Sequence, residues 1–371
     1  LEIILNKVFR YRIYPTKAQK STLADTLELC RWAYNETLAL RKNAWEFEQE
    51  NIGYFESKKM LPGWKVIKPE LRNVHSQVLQ DVVQRVDLAF QAFFRRCKNG
   101  ENPGYPRFKG KNRYDSITYT QSGFELQDNK LWLSKIGEIK VKLHRPIVGS
   151  IKRLTIRKNS TGKWFVSFLV DIDNQETIPL TGQSVGVDVG IKSFLTLSNG
   201  QDIPNPRFFV SEEKHLAKAQ RRLSKAVKGS PEWKKALKIV GHIHERIANK
   251  RQDFVQKVSL ELVRAYDLIV FEDLNVKAMI KNHCLAKHIA DVSWNKLISI
   301  TTYKAEWAGK DVELVEPSNT SQMCSGCGQI VRKNLSERTH SCPFCSLVLS
   351  RDHNAAINIH RLGLQSVAQK A

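Results

Sequence analysis

Two CxxC units constrain this chain more than any other feature: Cys324 and Cys327, then fourteen residues, then Cys342 and Cys345. A pair of knuckles at that separation presents four thiolates to one tetrahedral Zn2+. Gly326 and Gly328 permit the tight turn of the first knuckle, and Pro343 stiffens the second. Four cysteines saturate zinc and leave no position for a reactive water. One structural Zn2+ is therefore expected, holding a fold together and taking no part in chemistry. Arg332, Lys333 and Arg338 lie in the connecting loop, where contact with nucleic acid is the alternative role. The other thiols, Cys30, Cys97 and Cys284, sit in apolar helical context or alone and read as ordinary cysteines. Clustered metal-type cysteines with an odd one over fit a reducing compartment.

Charge defines the partner. Against 37 acidic residues stand 59 Lys and Arg, a formal charge of +22 that exceeds what solubility requires and points to a polyanion. A membrane surface would need an amphipathic apolar face or a lipid anchor beside the charge, and neither stands out. No apolar run approaches a membrane span. The opening residues, LEIILNKVFRYR, carry acid and base too early for a secretory signal and lack a small-residue cleavage site, so a cytoplasmic location is expected.

A length of 371 residues, 42% of them apolar, suits two to three domains of roughly 150 residues each. Residues 2–14 alternate as a strand that Pro15 ends, and Thr16 with Gln19 forms a capping-box pair for a helix carrying Leu23, Leu27, Cys30 and Tyr34 on one face. A second helix is expected near 74–97, with Leu79, Val82, Val83, Val86, Phe90 and Phe93 as its stripe. From about 114 to 172 short β-branched and aromatic runs (SITYT, KLWLS, IKVKL, KRLTIR, KWFVSFLV) alternate with turn signals. These predict a small barrel or sandwich. The first strand has no neighbour in sequence, so it should join this later sheet and leave the helices as an insertion. After 180 the order is strand, strand, a basic helical stretch broken at Gly229-Ser230-Pro231, a buried strand, a helix near 287–308 and a short strand, which is α/β order. The tail beyond 364 lacks a pattern and is expected to fray.

Within this α/β part, acids occupy positions that strands disfavour. Asp188 lies inside the apolar run GVDVG, and Glu272 ends the buried run LIVFE. Asp352 opens a helix directly after the second CxxC unit. A turn or cap residue is the ordinary reading of each acid alone. Three in succession in so basic a chain suit a site for two Mg2+ ions, with Mn2+ as the alternative ion, which stabilise the attacking and leaving oxygens of an in-line phosphoryl displacement. Asp273 is a rival to Glu272, and alternation sends the two to opposite faces, so one belongs to the site; the residues leave that choice open.

Phosphate contacts have two candidate regions. Residues 214–259 hold thirteen Lys and Arg against three acids, including Arg221, Arg222, Lys225, Lys234, Lys235 and Lys238. Such a sign imbalance suits a nucleic-acid backbone better than a solvated helix face, which usually interleaves acids. In PGYPRFKGKNRY (103–114), Arg107, Lys109, Lys111 and Arg113 stand among Tyr105 and Phe108, aromatics that can stack on bases or equally anchor the loop.

GVDVGIKSF, FEDLNV and CSGC…CPFC followed at once by SRDHNAAINI together resemble the TnpB family of transposon-encoded RNA-guided nucleases, relatives of type V CRISPR effectors. FRYRIYPTKAQ, PGYPRFKGK and HERIANKRQDF extend the likeness along nearly the whole chain. The resemblance implies an α+β multidomain protein. A RuvC-like, RNase H-fold nuclease domain (181–321 and 349–371) would carry the zinc module (322–348) as an insertion, and a wedge-type β-barrel (1–14 and 114–180) would be split by a helical recognition domain (15–113). It implies catalytic acids at Asp188, Glu272 and Asp352, and favours Glu272 over Asp273. It further implies a transposon-derived guide RNA, double-stranded target DNA bearing a short flanking motif, and a prokaryotic, nucleoid-associated setting. A DNA transposase or strand-transfer enzyme, and a non-cleaving RNA-guided repressor, are the alternatives. One departure is visible: members often carry Asp-Arg-Asp before Asn-Ala-Ala, and here the first of those is Ser350.

Overall fold

The computed structural model describes residues 5–172, 178–279, 281, 286–334 and 337–370, in two units, Leu1–Asn174 and Gln175–Ala371. In the first unit, strand β1 (Leu5–Tyr14) turns Phe9, Tyr11 and Ile13 inward at every second position. Pro15 stops it, and the Thr16 hydroxyl and Gln19 side chain close the capping box that starts helix α1 (Lys17–Asn43). A π-helical turn (Ala44–Glu48), α2 (Tyr54–Lys59), α3 (Leu61–Ile67) and a 3-10 turn (Pro69–Asn73) lead to α4 (Ser76–Lys98). The buried stripe of α4, Val78 to Phe90, packs in one continuous core with Leu23, Cys30 and Leu38 of α1 and the inward side chains of the sheet. Arg85 of α4 pairs with Asp81 at 2.7 Å and donates to the Ser116 carbonyl and the Thr118 hydroxyl, fastening this helix to the strand that follows.

That sheet continues with β2 (Ser116–Tyr119), β3 (Phe124–Gln127), β4 (Lys130–Leu133), β5 (Gly137–Lys142), β6 (Ser150–Lys158) and β7 (Trp164–Ile172), in the order β2-β6-β7-β1-β5-β4-β3. Each recorded pairing is antiparallel, and β1 lies between β7 and β5, so α1–α4 leave the sheet and return to it. β2 and β3 occupy opposite edges, yet the five residue steps from Tyr119 to Phe124 span at most about 18 Å. The sheet must therefore curl until its edges nearly meet, and the Tyr119 hydroxyl reaches across to the Ser134 carbonyl at 3.0 Å. β3 is not among the strands expected from the sequence; its FELQ pattern is half exposed and carries little apolar signal.

The second unit runs β8 (Ser184–Val189), β9 (Ser193–Leu197), β10 (Asp202–Pro204), α5 (Phe208–Lys225), α6 (Pro231–Ala265), β11 (Leu268–Glu272), α7 (Val276–Met279), α8 (Ala286–Val292), α9 (Trp294–Ala308), β12 (Asp311–Val315), β13 (Thr339–Ser341), β14 (Val348–Ser350) and α10 (Arg351–Lys370). Its main sheet has the order β10-β9-β8-β11-β12, with β8, β11 and β12 parallel and β9 and β10 antiparallel. Val185, Val187, Ile269 and Phe271 face α6 and α9, while Val270 and Val315 pack on Ile359 of α10. α10 thus covers the opposite face.

Two local expectations fail. The helix expected over 287–308 is two helices, because Ser293 adopts a left-handed conformation at φ 59° and breaks the turn between α8 and α9. The tail expected to fray is helical to Lys370, where Lys370 and Ser366 both donate to Glu313 of β12 at 2.6 and 2.7 Å. That anchor pairs residues more than fifty positions apart, so no local pattern announces it. Among the described residues no helix is long and apolar enough to cross a membrane. Cys30 is buried, which pushes its thiol up to about 12, and Cys97 is exposed. Cys284 lies outside the described residues.

Candidate metal centres and nucleic-acid interface

Parallel strands β8 and β11 pair in register from Leu268 with Ser184 to Phe271 with Val187, and one more step sets Glu272 beside Asp188. Alternation puts both acids on the face that α10 covers, since Gly186 and Val270, two residues earlier, also face α10. α10 lies very close there. A Cβ on Gly186 would stand 2.2 Å from the Ala356 carbonyl oxygen, and one on Gly363 would stand 2.3 Å from Val270. Asp352 occupies the first turn of the same helix, so three elements deliver three acids to one end of the sheet. The Ser350 hydroxyl accepts the His353 N–H at 3.1 Å, so this serine caps α10. Asp273 is exposed, and its N–H is committed to the Val315 carbonyl.

The acids bear on one another electrostatically. Burial pushes the Asp188 carboxyl well above the usual carboxylate range, and the charges of Glu272 and Asp352 push it further; the Arg351 and Arg338 guanidiniums pull the other way. Burial likewise raises Glu272, which is 8% exposed, against a hydrogen bond donated by the Thr320 hydroxyl to Glu272 Oε1. Arg351 and Arg338 flank Asp352 at 3.4 and 3.9 Å. Carboxylate oxygens are the donors that a hard divalent cation takes, and these three acids would be the residues to hold one. Sequence reasoning missed Thr320, Asn354 and Asn358, which are buried around this site; the two asparagines, four apart on an otherwise apolar helix face, were the available signal.

The thiols form the second cluster. All four Sγ atoms lie within 4.8 Å of one another, with Cys324–Cys345 and Cys327–Cys342 at 3.6 Å. A tetrahedron with Zn–S bonds of about 2.3 Å has S···S edges of about 3.8 Å, so the thiols fit zinc. Both knuckles close through the backbone: Gly328 N–H to Cys324 O at 2.9 Å and Ser346 N–H to Cys342 O at 3.0 Å. Gly328 and Ser346 take positive φ there. Burial opposes ionisation of Cys342, but amides of Phe344 and Cys345 outweigh it and, with the neighbouring thiols, hold this thiol down at about 6. The short β13–β14 hairpin then leads straight into α10.

Comparison with known proteins gives three family models and several relatives. A family model described as "Probable transposase" covers residues 167–283, one described as "Cas12f1-like, TNB domain" covers 294–359, and one described as "Helix-turn-helix domain" covers 5–50, where the structure has β1 and the single long helix α1. A Streptomyces pristinaespiralis protein named "Putative RNA-guided DNA endonuclease" is 36% identical over 98% of this chain and 91% of its own length. The chain belongs to the TnpB family. An Escherichia coli K12 relative, "Putative RNA-guided DNA endonuclease InsQ", is 28% identical over 96% of this chain and 92% of its own. The solved "mini-RNA-guided endonuclease CRISPR-Cas_phi3" shares the fold at a TM-score of 0.51 and 10% identity, over 97% of this chain and 92% of that one.

In this TnpB-family chain the basic residues singled out above occupy two surfaces. Arg221, Arg222 and Lys225 on α5 and Lys234, Lys235 and Lys238 on α6 are all exposed toward the tip of the helical hairpin. Nearer its base the cations are paired: Arg246 and Lys250 with the buried Glu212, and Arg251 with Asp291 at 2.6 Å. In the loop between α4 and β2, Arg107, Lys111 and Arg113 are exposed. Lys109 is held: its N–H donates to Asn35 at 2.8 Å, its carbonyl accepts from Arg31 and Asn35, and its ammonium lies 5.4 Å from the Tyr34 ring. Tyr105 packs edge-on against Phe90 and Phe93 and so anchors the loop, whereas Phe108 is exposed.

Proposed function

We propose that this chain is an RNA-guided endodeoxyribonuclease that hydrolyses phosphodiester bonds of target DNA with two Mg2+ ions, Mn2+ substituting, held by Asp188, Glu272 and Asp352. The observation that carries it is the convergence of these acids at one end of the β8–β11 pair, under the start of α10. The names of the full-length relatives support RNA guidance and DNA as substrate. Bound there, the ions would supply an activated water and stabilise the leaving oxygen. The side chains do the rest. Three carboxylates from a strand interior, a strand end and a helix start fix the ligand directions, and Arg351 and Arg338 stand at the rim where a scissile phosphate would carry negative charge. The exposed cations of α5 and α6 and of the 103–114 loop suit the sugar-phosphate backbones of guide and target.

On this reading residues 181–321 and 349–371 form a RuvC-like, RNase H-fold nuclease domain, and 322–348 is its zinc insertion. Residues 1–14 with 114–180 form the wedge, with 15–113 as the recognition insertion. A strand-transfer enzyme is the second reading, favoured by the description of the model covering 167–283. Asp188→Ala is expected to reduce cutting by a thousand-fold or more while RNA-guided DNA binding persists. Retained Mg2+-dependent cutting in that variant would overturn the assignment, and joined rather than cleaved products from the parent chain would establish strand transfer.

A further inference from the structure

We infer that Thr320 is a positioning residue that aims Glu272 at the metal site, and that Asn354 and Asn358 hold it there by tying the root of the zinc module to α10. The inference rests on the reading of Glu272 as a metal ligand. Thr320 is 3% exposed, and its hydroxyl donates to Glu272 Oε1. That bond occupies one carboxylate oxygen and fixes the plane of the carboxylate, leaving Oε2 as the oxygen for a cation. Thr320 lies on the segment between β12 and the first knuckle, where no regular element fixes it.

Its position comes from α10. Asn358 Nδ2 donates to the Thr320 carbonyl at 2.8 Å and to the Met323 carbonyl at 2.6 Å. One turn earlier, Asn354 Nδ2 donates to the Met323 carbonyl at 2.8 Å, and its Oδ1 accepts the Ser325 N–H at 2.9 Å. Both asparagines are fully buried. Buried amides have strict partner requirements, so these four bonds fix the segment 320–325 against the helix that carries Asp352. The same segment contains Cys324. One helix thus presents one acid directly and sets a second through Thr320, with the first knuckle clamped between.

The test measures metal binding as well as cutting. Mn2+ is titrated into the full-length chain and followed by EPR, with Asp188→Ala at the same RNA load as the reference for ions bound elsewhere. Thr320→Val, which keeps shape and removes the hydroxyl, is expected to weaken the Asp188-dependent Mn2+ site by roughly ten-fold, as loss of an outer hydrogen bond to a ligand typically does. It should raise the Mg2+ needed for half-maximal cutting by a similar factor while zinc content and guided DNA binding stay at the parent level. Thr320→Ser should restore both within about two-fold, and Asn358→Leu should reproduce the valine defect. An unchanged Mn2+ site in Thr320→Val, or a serine variant as impaired as the valine, would overturn the positioning role alone. No Asp188-dependent Mn2+ site in the parent chain would overturn the metal reading and this inference with it.

Discussion

The two ligand clusters of the second unit meet in sequence where Cys345 precedes Asp352 by seven residues, and they are built on opposite principles. The thiols are brought together by local geometry: two knuckles, each closed by its own backbone hydrogen bonds, with amides donating to sulfur. The carboxylates are brought together by the tertiary fold, from residues 84 and 80 positions apart along the chain (Asp188, Glu272, Asp352), and they oppose one another electrostatically. A cluster saturated by its own ligands is a fastening. In the other cluster burial and the charges of Glu272 and Asp352 raise Asp188, so it resists full ionisation by itself.

The largest test of this contrast is to remove the fastening. Cys342→Ser should lose zinc, and because a structural site contributes on the order of 10 kcal/mol of folding free energy, the ribbon should unfold. The expected readout is loss of zinc by elemental analysis together with a ten- to hundred-fold fall in cutting, since α10 begins at the end of the ribbon hairpin. Full activity in a zinc-free variant would separate the clusters. Next in size, Gly186→Ala drives a methyl against the Ala356 carbonyl and should cost roughly 1–3 kcal/mol of stability, seen as a lowered urea midpoint, with cutting reduced because α10 and Asp352 shift. Unchanged activity would mean that the acids tolerate a displaced helix.

Smaller and opposite in sign, Asp188→Asn should stabilise the Mg2+-free protein. It replaces a buried carboxyl whose ionised form Glu272 and Asp352 repel, so a rise in Tm of about 2–4 °C in chelator is expected, with cutting abolished. A fall in Tm would argue against repulsion between the acids. The smallest effect concerns a carboxylate outside both clusters. Burial works against ionised Asp267, but the amides of Thr181 and Gly182 and the Lys310 ammonium outweigh it and hold its pKa down at about 2. Its folded value lies below its unfolded one, so its contribution is present above about pH 4 and is lost as pH falls toward 2. Asp267→Asn should flatten the acid limb of a Tm-against-pH curve in that window and leave neutral-pH cutting intact.

Much of this was legible in the chain. The thiol site announced itself because its ligands are close in sequence and need glycines beside them. β1 could be assigned to the later sheet because a lone alternating strand has no other partner, and its pairing with β7 runs from Leu5 to Ile13. Asp188 and Glu272 stood out because acids are rare in buried strands. Ser293, β3 and the C-terminal helix were not legible, since a left-handed residue, a half-exposed strand and an anchor to Glu313 leave little periodic trace.

The sequence by itself determined the ligand types, the cysteine spacing, the order of most strands and the basic character of the α5–α6 hairpin. Only the tertiary structure decided that Glu272 rather than Asp273 faces α10, that Gly186 and Gly363 bring that helix against the sheet, and that Thr320 reaches Glu272. The physical reason is range. Ligand chemistry and alternation are properties of neighbouring residues, whereas the aim of a buried carboxylate depends on parallel strand register and helix packing, which join residues that the chain keeps far apart.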